Sequence, residues 1–287
     1  MNLLTIADLD AAALTELLDM SERDLGRPLA GQGVALLFEK PSARTRNSME
    51  MAAIQLGGHP VYIQKDEVGL GTRETPEDVA RTLACYHAII AARVAAHAHL
   101  DAMAAATAIP VLNMLSERAH PLQALADLLT IRQLAGRIEG VRVAYVGDAN
   151  NVCRSLAEGC ALLGAELTVA SPEGYGVDAH DLADLPGVRQ VVDPADAVSG
   201  AQFVYTDVWV SMGQGDEAQT RRAAFARHRV TREVMARTDD AWFLHCLPAH
   251  RGEEVAADVI DGARSAVWRQ ATNRMHTGRA ALAWLVK

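Results

Sequence analysis

The sequence predicts an α/β protein with two domains, each a parallel sheet flanked by helices, joined by interdomain helices. Two observations predict this fold class. Short apolar runs alternate with segments of helical periodicity along most of the chain, which is the pattern of parallel sheets covered on both faces. The chain also has 287 residues, which is enough for two domains of ordinary size.

Composition excludes several classes of protein. A net charge of −9 argues against a general nucleic-acid surface. No apolar run approaches the roughly 20 residues of a membrane helix, and Met1–Met20 contains acids but no Lys or Arg, unlike a signal peptide. The four cysteines lack C-x-x-C spacing, which argues against a zinc site and favours a reducing compartment. We therefore expect a cytoplasmic protein.

The first half of the chain predicts four strands between helices. The apolar stripe of Leu14, Leu17 and Leu18 predicts the first helix, and Thr75-Pro76 is a clear helix start. The predicted strands are Val34–Phe38, His59–Ile63, Ala88–Ala92 and Pro110–Asn113. The predicted helices are Leu9–Leu25, Ala43–Leu56, Pro76–Tyr86, Leu100–Ala106 and Pro121–Leu134.

The second half repeats this alternation, and its last helix has no strand after it. The predicted strands are Val141–Val146, Glu166–Ala170, Gln190–Val192, Phe203–Thr206 and Trp242–His245. The predicted helices are Val152–Leu163, Asp178–Leu185, Pro194–Val198, Gln219–Ala226, Arg232–Ala236 and Gln270–Val286. Ligands of such sheets bind at the carboxyl ends of the strands.

The junction after the strand Val34–Phe38 is a candidate anion site. Ser42 is a good N-cap, and the hydroxyls of Ser42 and Thr45 converge there with backbone N–H groups and the Arg44 cation. Because a helix N-terminus carries partial positive charge, this arrangement suits a phosphate dianion. A capped surface helix with solvated arginines is the alternative. No G-x-x-x-x-G-K-[ST] occurs, so the junction is not a nucleotide P-loop.

Polar side chains follow two further strands of the first half. Arg93 ends the strand Ala88–Ala92, while His120 and Gln123 begin a helix after the strand Pro110–Asn113. An acyl phosphate requires cations for its phosphate and donors for the oxygen that becomes negative on nucleophilic attack. We predict that these three side chains direct donors at one carbonyl oxygen. A surface arginine and a helix-start histidine are the alternatives.

Three segments of the second half carry candidate residues. Gly147–Asn151 has one glycine where a dinucleotide turn needs three, so its asparagines are candidates for binding a carboxylate or an amine. The loop Asp207–Gly213 is a candidate cation pocket or an ordinary capped turn. Cys246 follows His245, and a Cys–His nucleophile pair is not expected because adjacent strand residues point to opposite faces. A buried small apolar residue is the alternative for Cys246.

In this order the segments resemble the ornithine carbamoyltransferases of the aspartate/ornithine carbamoyltransferase superfamily over essentially the whole chain. The matching segments are Phe38–Arg46, Gly71–Glu74, Arg93, His120–Gln123, Gly147–Asn151, Asp207–Gly213 and His245–Pro248, with a weaker match at Asn273-Arg274. The resemblance implies transfer of a carbamoyl group from carbamoyl phosphate to the side-chain amine of L-ornithine, giving citrulline and phosphate in arginine metabolism. It implies no metal and no organic cofactor.

The resemblance also implies roles for individual residues. Carbamoyl phosphate is expected at Ser42, Ala43, Arg44, Thr45, Arg93, His120, Gln123, Cys246, Leu247 and Arg274. L-Ornithine is expected at Asn151, Asp207, Ser211 and Met212. The expected catalytic residues are Arg93 and His120, which stabilise the oxyanion, and Asp207 and Cys246, which orient the amine and favour its neutral form.

Domain limits and assembly follow from the same resemblance. Residues 1–133, completed by a C-terminal helix at 270–287, are expected to bind carbamoyl phosphate, and residues 134–269 to bind ornithine. A homotrimer acting on these small molecules is expected, without nucleic-acid or membrane partners. Two residues depart from the family pattern, since Ala43 replaces a common threonine and Gly69 replaces a frequent Gln or His.

Two alternative functions remain at this stage. The first is a carbamoyltransferase for aspartate, putrescine or an acylated ornithine, against which Cys246 and the loop Asp207–Gly213 favour ornithine. The second is a non-catalytic relative that retains a ligand pocket. The joint presence of Arg44, Arg93 and His120 with the second-half residues disfavours it.

Overall fold

The computed structural model describes residues 1–178, 185–210 and 215–287. The chain divides into two compact units, residues 1–129 with 272–287, and residues 130–271. Each unit contains a parallel sheet with helices, so the predicted α/β class is confirmed. Among the described residues, no helix combines the length and the apolar character that a membrane crossing needs.

The first unit holds a four-stranded parallel sheet in the order β2-β1-β3-β4. Its strands are β1 Gly33–Phe38, β2 His59–Gln64, β3 Ile89–Arg93 and β4 Val111–Leu115. Its helices are α1 Ala11–Ser21, α2 Ala43–Gln55, α3 Lys65–Val68, α4 Pro76–Ala84 and α5 His97–Ala106, and α6 Pro121–Ala135 begins there. A short 3₁₀ helix, Ile6–Asp8, precedes α1.

The second unit holds a five-stranded parallel sheet in the order β7-β6-β5-β8-β9. Its strands are β5 Arg142–Val146, β6 Glu166–Ala170, β7 Val188–Val191, β8 Phe203–Thr206 and β9 Trp242–His245. Its helices are α7 Asn151–Leu163, α8 Pro194–Val198, α9 Ala218–Phe225, α10 Arg232–Met235 and α11 Ala257–Ile260, and α12 Val267–Leu285 begins there. Two 3₁₀ helices, Gly215–Glu217 and Ala226–His228, flank α9.

Strand register brings polar residues of the first unit to one edge. The residues of β1 from Val34 to Phe38 are buried, as expected for a strand covered on both faces. In the parallel pairing of β1 with β3, Phe38 lies opposite Arg93. The loop after β1 therefore starts beside the end of β3, and Ser42 begins α2 from that loop.

The last part of α12 packs against the first helix of the first unit. Trp284 Nε1 donates to Glu16 Oε2 at 3.0 Å, and Arg279 Nη2 donates to the backbone oxygen of Arg23 at 2.9 Å. Contacts between residues so far apart in sequence fix where the earlier turns of α12, including Arg274, lie within this unit.

Several predicted boundaries are wrong. The first helix was predicted over Leu9–Leu25 but runs over Ala11–Ser21, because Asp10 caps it by accepting from Ala13 N at 2.7 Å. The helix predicted from Leu100 begins at His97. The single-turn helices α3 and α11 were not predicted, since four residues carry too little periodicity. The predicted helix Asp178–Leu185 lies, apart from its two end residues, outside the described residues.

Candidate active site

A first cluster begins where β1 and β3 end and α2 starts. Ser42 caps α2, its Oγ accepting from Thr45 N at 3.4 Å. Arg93, the buried last residue of β3, donates through Nη1 to Thr45 Oγ1 at 3.4 Å. Its backbone oxygen accepts from Glu39 N at 2.9 Å. A buried guanidinium thus lies at the N-terminus of α2, where aligned peptide dipoles add positive potential.

Arg274 of α12 extends this first cluster. It is buried, and its Nη1 donates to Gln123 Oε1 at 2.5 Å and to His120 Nε2 at 3.1 Å. Gln123 in turn donates through Nε2 to the buried Asp127 Oδ1 at 2.7 Å. A chain of hydrogen bonds therefore runs from the start of α6 to α12 within the first unit. We call Ser42, Thr45, Arg93, His120, Gln123 and Arg274 the cationic cluster.

His120 is electrically neutral in this cluster. Burial lowers the pKa of His120 well below its usual value, and the positive charges of Arg274 and Arg93 lower it further. Because Nε2 accepts from Arg274, the single ring proton of the neutral imidazole is on Nδ1. The cluster therefore combines two guanidinium cations with one neutral ring N–H donor.

Ala43 and Arg44, the first two residues of α2, are exposed. The next arginine along the helix, Arg46, is held by its neighbours, since its Nε donates to Glu50 at 2.8 Å and its guanidinium lies 3.9 Å from the centroid of the Tyr62 ring. The guanidinium of Arg46 is therefore held by Glu50 of its own helix and by Tyr62 of β2, whereas Arg44 is exposed.

A second cluster surrounds Asp207, the first residue after β8. Asp207 is buried, and its Oδ1 accepts from Cys246 Sγ at 2.9 Å and from Val208 N at 2.8 Å. Its Oδ2 accepts from Asn150 Nδ2 at 2.7 Å. Both carboxylate oxygens are therefore held by donors, which fixes the side chain at the carboxyl end of the sheet. We call Asn150, Asp207 and Cys246 the carboxylate cluster.

The segment that presents Cys246 is held by a buried histidine. His245 Nδ1 accepts from Leu247 N at 2.9 Å, and its Nε2 lies 3.2 Å from the buried Glu254 Oε1. This pattern places the ring proton on Nε2, where it is donated to the carboxylate. Leu247 has a φ of 58°, in the left-handed region, so these bonds stabilise a turn that a leucine rarely adopts.

A buried ion pair lies beside the carboxylate cluster. Arg221 Nη2 donates to Asp148 Oδ2, and Arg221 Nε donates to the backbone oxygen of Trp209 at 2.6 Å. Burial raises the pKa of Asp148 to about 6, with the charge of Asp207 adding to the rise and that of Arg221 opposing it. Desolvation thus outweighs the ion pair in setting the pKa of Asp148.

One group of side chains has the composition of a metal site. Asp207, His245 and Cys246 offer ligand atoms within 4.8 Å of one another. His245 is already committed through both ring nitrogens, and the Cys246 thiol donates to Asp207. Because a metal would have to replace these hydrogen bonds, the geometry favours an orienting role for the three residues over metal binding.

The structure brings together many residues that the sequence singled out, each within its own unit. Thr45 contacts Ser42 and Arg93, Arg274 contacts His120 and Gln123, and Asp207 contacts Cys246. Gln123 makes its amide contacts with Asp127 and Arg274. Asn151 is the first residue of α7, directly after the cap residue Asn150. Ser211 and Met212 lie outside the described residues.

Sequence reasoning missed several partners of these residues. Asp127 was readable in principle, since it lies four residues after Gln123 on one helix. Asn150 was noted but not assigned, because a good N-cap carries no sign of where its amide N–H points. No sequence pattern linked Arg221 or Glu254 to its partner. Arg221 meets Asp148, and Glu254 meets His245, only in the folded chain.

Two family models match the chain. The carbamoyl-P binding domain of aspartate/ornithine carbamoyltransferase matches residues 1–133, and the Asp/Orn binding domain of the same family matches residues 139–285. The matched segments together cover nearly the whole chain, and they contain both clusters.

Relatives and solved structures agree with these models. An ornithine carbamoyltransferase of Hyperthermus butylicus is 48% identical over 268 residues, covering 90% of this chain and 85% of that protein. One from Thermus thermophilus is 46% identical over 280 residues, covering 96% of this chain and 93% of that protein. A crystal structure of the enzyme from Thermus thermophilus covers 100% of this chain and 99% of its own, with a TM-score of 0.93 and 43% identity.

Proposed function

The chain belongs to the aspartate/ornithine carbamoyltransferase family, and we propose that its two clusters divide the substrates of one reaction between them. The enzyme transfers the carbamoyl group of carbamoyl phosphate to the side-chain amine of L-ornithine, giving citrulline and phosphate. The cationic cluster holds carbamoyl phosphate, and the carboxylate cluster holds the amine. The observation that carries this assignment is the opposite charge of the two clusters.

Carbamoyl phosphate binds through cations and a helix N-terminus. Arg44 and Arg93, with the hydroxyls of Ser42 and Thr45 and the backbone at Ala43, hold the phosphate oxygens, because charge-assisted bonds to phosphate are the strong ones. His120, together with Arg93, faces the carbamoyl oxygen, and Arg274 contacts the carbamoyl group or the phosphate. The contact of Arg93 with Thr45 and that of Arg274 with His120 support these roles, because each pair keeps a guanidinium at the site.

Gln123 and Leu247 complete the carbamoyl phosphate site. Gln123 accepts from Arg274, so its part is to keep that guanidinium in place as well as to face the carbamoyl group. Leu247 contributes its backbone oxygen, and the hydrogen bond from Leu247 N to His245 supports a fixed orientation of that peptide.

L-Ornithine binds through a carboxylate at one end and polar groups at the other. Asp207 attracts the side-chain amine, and the thiol of Cys246 lies next to it, as its contact with Asp207 at 2.9 Å supports. Asn151, Ser211 and Met212 hold the α-amino and α-carboxylate groups. The assignment of the last two rests on their match to the family motif alone.

The chemistry requires a neutral nucleophile. The amine has a pKa of about 10.4 in water, so only about one molecule in a thousand is neutral at pH 7.4. Asp207 and Cys246 orient the amine and favour its neutral form, with the ammonium proton lost to solvent, and the nitrogen then attacks the carbonyl carbon. The C–N bond forms and negative charge moves to the carbonyl oxygen beside Arg93 and His120. When the carbonyl re-forms, the C–O bond to phosphate breaks, and the departing phosphate takes the second proton from the nitrogen.

Three further features are proposed from membership of the family. The chain assembles as a closed homotrimer and acts in the cytoplasm. Residues 1–133 with the helix 270–287 bind carbamoyl phosphate, and residues 134–269 bind ornithine. Light scattering at working concentration tests the assembly, and a mass equal to one chain contradicts the trimer.

Choice of acceptor is the direct test of the function. Citrulline formation is compared with ornithine, putrescine, N-acetylornithine and aspartate as acceptors. Putrescine lacks the α-carboxylate and leaves polar donors of the site unpaired, which a specific site disfavours strongly. We expect kcat/KM to be at least about a hundredfold higher for ornithine than for putrescine. Equal use of putrescine contradicts the ornithine assignment, although carbamoyl transfer itself stands.

A further inference from the structure

The side chain of Asn150 caps α7 and contacts two other side chains, since its Oδ1 also accepts from Tyr145 Oη at 3.4 Å and its Nδ2 reaches Asp207. Its Oδ1 accepts from Val152 N at 2.9 Å and from Cys153 N at 3.2 Å, which caps α7. Its Nδ2 donates to Asp207 Oδ2 at 2.7 Å, across 57 positions of sequence. The first contact belongs to the helix, and the second belongs to the carboxylate cluster.

We propose that Asn150 is a positioning residue that sets the orientation of the Asp207 carboxylate toward the acceptor amine. With Oδ2 held by Asn150, the other oxygen of Asp207 lies 2.9 Å from Cys246 Sγ. A carboxylate held at one oxygen cannot rotate its second oxygen away from the thiol without breaking that bond. This inference rests on the proposed role of Asp207 in receiving the amine.

The chemistry of the cap supports this role. Serine, threonine, aspartate and asparagine are all good N-caps, because each offers an oxygen to the first backbone N–H groups. Among these four, asparagine alone combines that oxygen with an amide N–H donor on a separate atom of the same group. The helix by itself accepts any of the four, so the contact with Asp207 is what selects asparagine at this position.

The surroundings make an aspartate at this position unfavourable. Among the described residues, the charged and titratable groups near Asp207 include Cys246, His245, Tyr145 and Cys153, together with Asp148 and its partner Arg221. Burial already raises the pKa of Asp148 to about 6, and that of Tyr145 is raised for the same reason. An aspartate in place of Asn150 adds a third carboxylate to those of Asp207 and Asp148, in a region where burial already disfavours the charged form of Asp148.

Two substitutions separate the helix cap from the contact with Asp207. Asn150→Ser keeps a capping oxygen and removes the N–H donor, while Asn150→Asp keeps the oxygen and opposes Asp207 with a like charge. Asp193→Ala is the matched control, because Asp193 caps α8 in the same unit through Ala195 N at 2.8 Å. Thermal unfolding, binding of carbamoyl phosphate and the kinetics of citrulline formation are measured for each.

We expect Asn150→Ser to keep the melting temperature of the parent protein and its affinity for carbamoyl phosphate, and Asn150→Asp to keep that affinity while its melting temperature falls because of the added charge beside Asp207. Asn150→Ser lowers kcat/KM for ornithine about tenfold, and Asn150→Asp lowers it more, about a hundredfold at pH 7, in the range that a misplaced catalytic group costs. Asn150→Asp also moves the acid limb of the kcat/KM profile to higher pH, because paired carboxylates raise the pKa at which the pair loses its protons. Asp193→Ala lowers the melting temperature without changing the ornithine kinetics.

The outcomes separate this inference from the function on which it rests. If the parent protein is active and both Asn150 variants keep kcat/KM for ornithine within about twofold with an unmoved pH profile, Asn150 is only a helix cap and the inference is wrong. If Asn150→Ser loses activity only in proportion to a loss of folded protein, the inference is also wrong. If the parent protein forms no citrulline, the proposed function fails and the inference fails with it.

Discussion

The cationic cluster and the carboxylate cluster are arranged in a similar way and carry charges of opposite sign. Both lie where parallel strands end, and both place a buried charged group among neutral hydrogen-bond partners. In the first, Arg93 and Arg274 contact Thr45 and His120. In the second, Asp207 contacts Cys246. The carboxyl edge of the sheet therefore supplies the location in both units, and the sign of the charge on a few side chains distinguishes the two clusters.

Burial shifts one pKa in or beside each cluster toward the uncharged form. In the cationic cluster, burial lowers the pKa of His120 well below its usual value, and the charges of Arg274 and Arg93 lower it further. Beside the carboxylate cluster, burial raises the pKa of Asp148 to about 6, although the charge of Arg221 opposes the rise. In both places desolvation favours the uncharged form of a titratable group.

The largest expected effect comes from the neutral histidine of the cationic cluster. His120→Ala removes a donor from the carbonyl oxygen, and loss of one such donor lowers kcat by about 10²-fold or more. His120→Gln is the matched variant, since its amide retains an N–H donor and part of the activity. The measurement is turnover per folded molecule, with folding checked by circular dichroism. Normal turnover in folded His120→Ala would assign His120 to the start of α6 and to nothing else.

A smaller effect is expected from Arg44, the exposed arginine at the start of α2. Arg44→Ala raises the KM for carbamoyl phosphate about tenfold, since a charge-assisted hydrogen bond contributes at least about 1.5 kcal/mol. Arg46→Ala is the control, because Arg46 lies on the same helix as Arg44 and contacts Glu50 of that helix and Tyr62 of β2. Equal KM values for the Arg44 variant and the parent protein remove Arg44 from the site.

The smallest effect is a difference in pH dependence of stability. The pKa of His120 is lowered in the folded protein, so its contribution is present above about pH 6.5 and is lost as the pH falls. The pKa of Asp148 is raised, so the folded protein binds the extra proton, and stability decreases as the pH rises from about 4 to 6. His120 and Asp148 therefore respond to acid in opposite directions.

Denaturant unfolding between pH 4.5 and 7.5 measures these contributions. Compared with the parent protein, His120→Gln loses less stability as the pH falls below 6.5, while Asp148→Asn no longer gains stability as the pH falls toward 4. Each full pH unit within the affected range corresponds to at most about 1.4 kcal/mol. Parallel pH profiles for all three proteins contradict the assigned protonation of His120 and Asp148.

Much of the fold was predictable from the sequence because local pattern and burial agree. β6, β8 and β9 have the predicted bounds, since each is a short apolar run that ends at a polar or small residue. The first helix was predicted too long, because its leucine stripe continues past the point where Asp10 and Glu22 set its ends. Apolar periodicity locates an element well and its ends poorly.

The site was predictable in its residues and less so in its contacts. The N-cap role of Ser42 follows from local pattern, and it is present. Arg274 contacts His120 across 154 positions and Asn150 contacts Asp207 across 57. Neither pair produces a periodic pattern in the sequence, because residues so far apart in sequence meet only when strand order and register are fixed. The resemblance to a family pointed to Arg274 and left Asn150 without a role.

Binding of carbamoyl phosphate to Asp207→Asn tests the central claim that the two clusters serve different substrates. Titration calorimetry without acceptor is run on this variant, on Arg93→Met and on the parent protein, alongside kcat/KM for ornithine. We expect Asp207→Asn to bind carbamoyl phosphate within about twofold of the parent protein while its kcat/KM for ornithine falls about a hundredfold or more, in line with other losses of a group essential to the transition state. Arg93→Met is expected to lose carbamoyl phosphate binding. Loss of that binding in Asp207→Asn would contradict the division of the substrates between the two clusters.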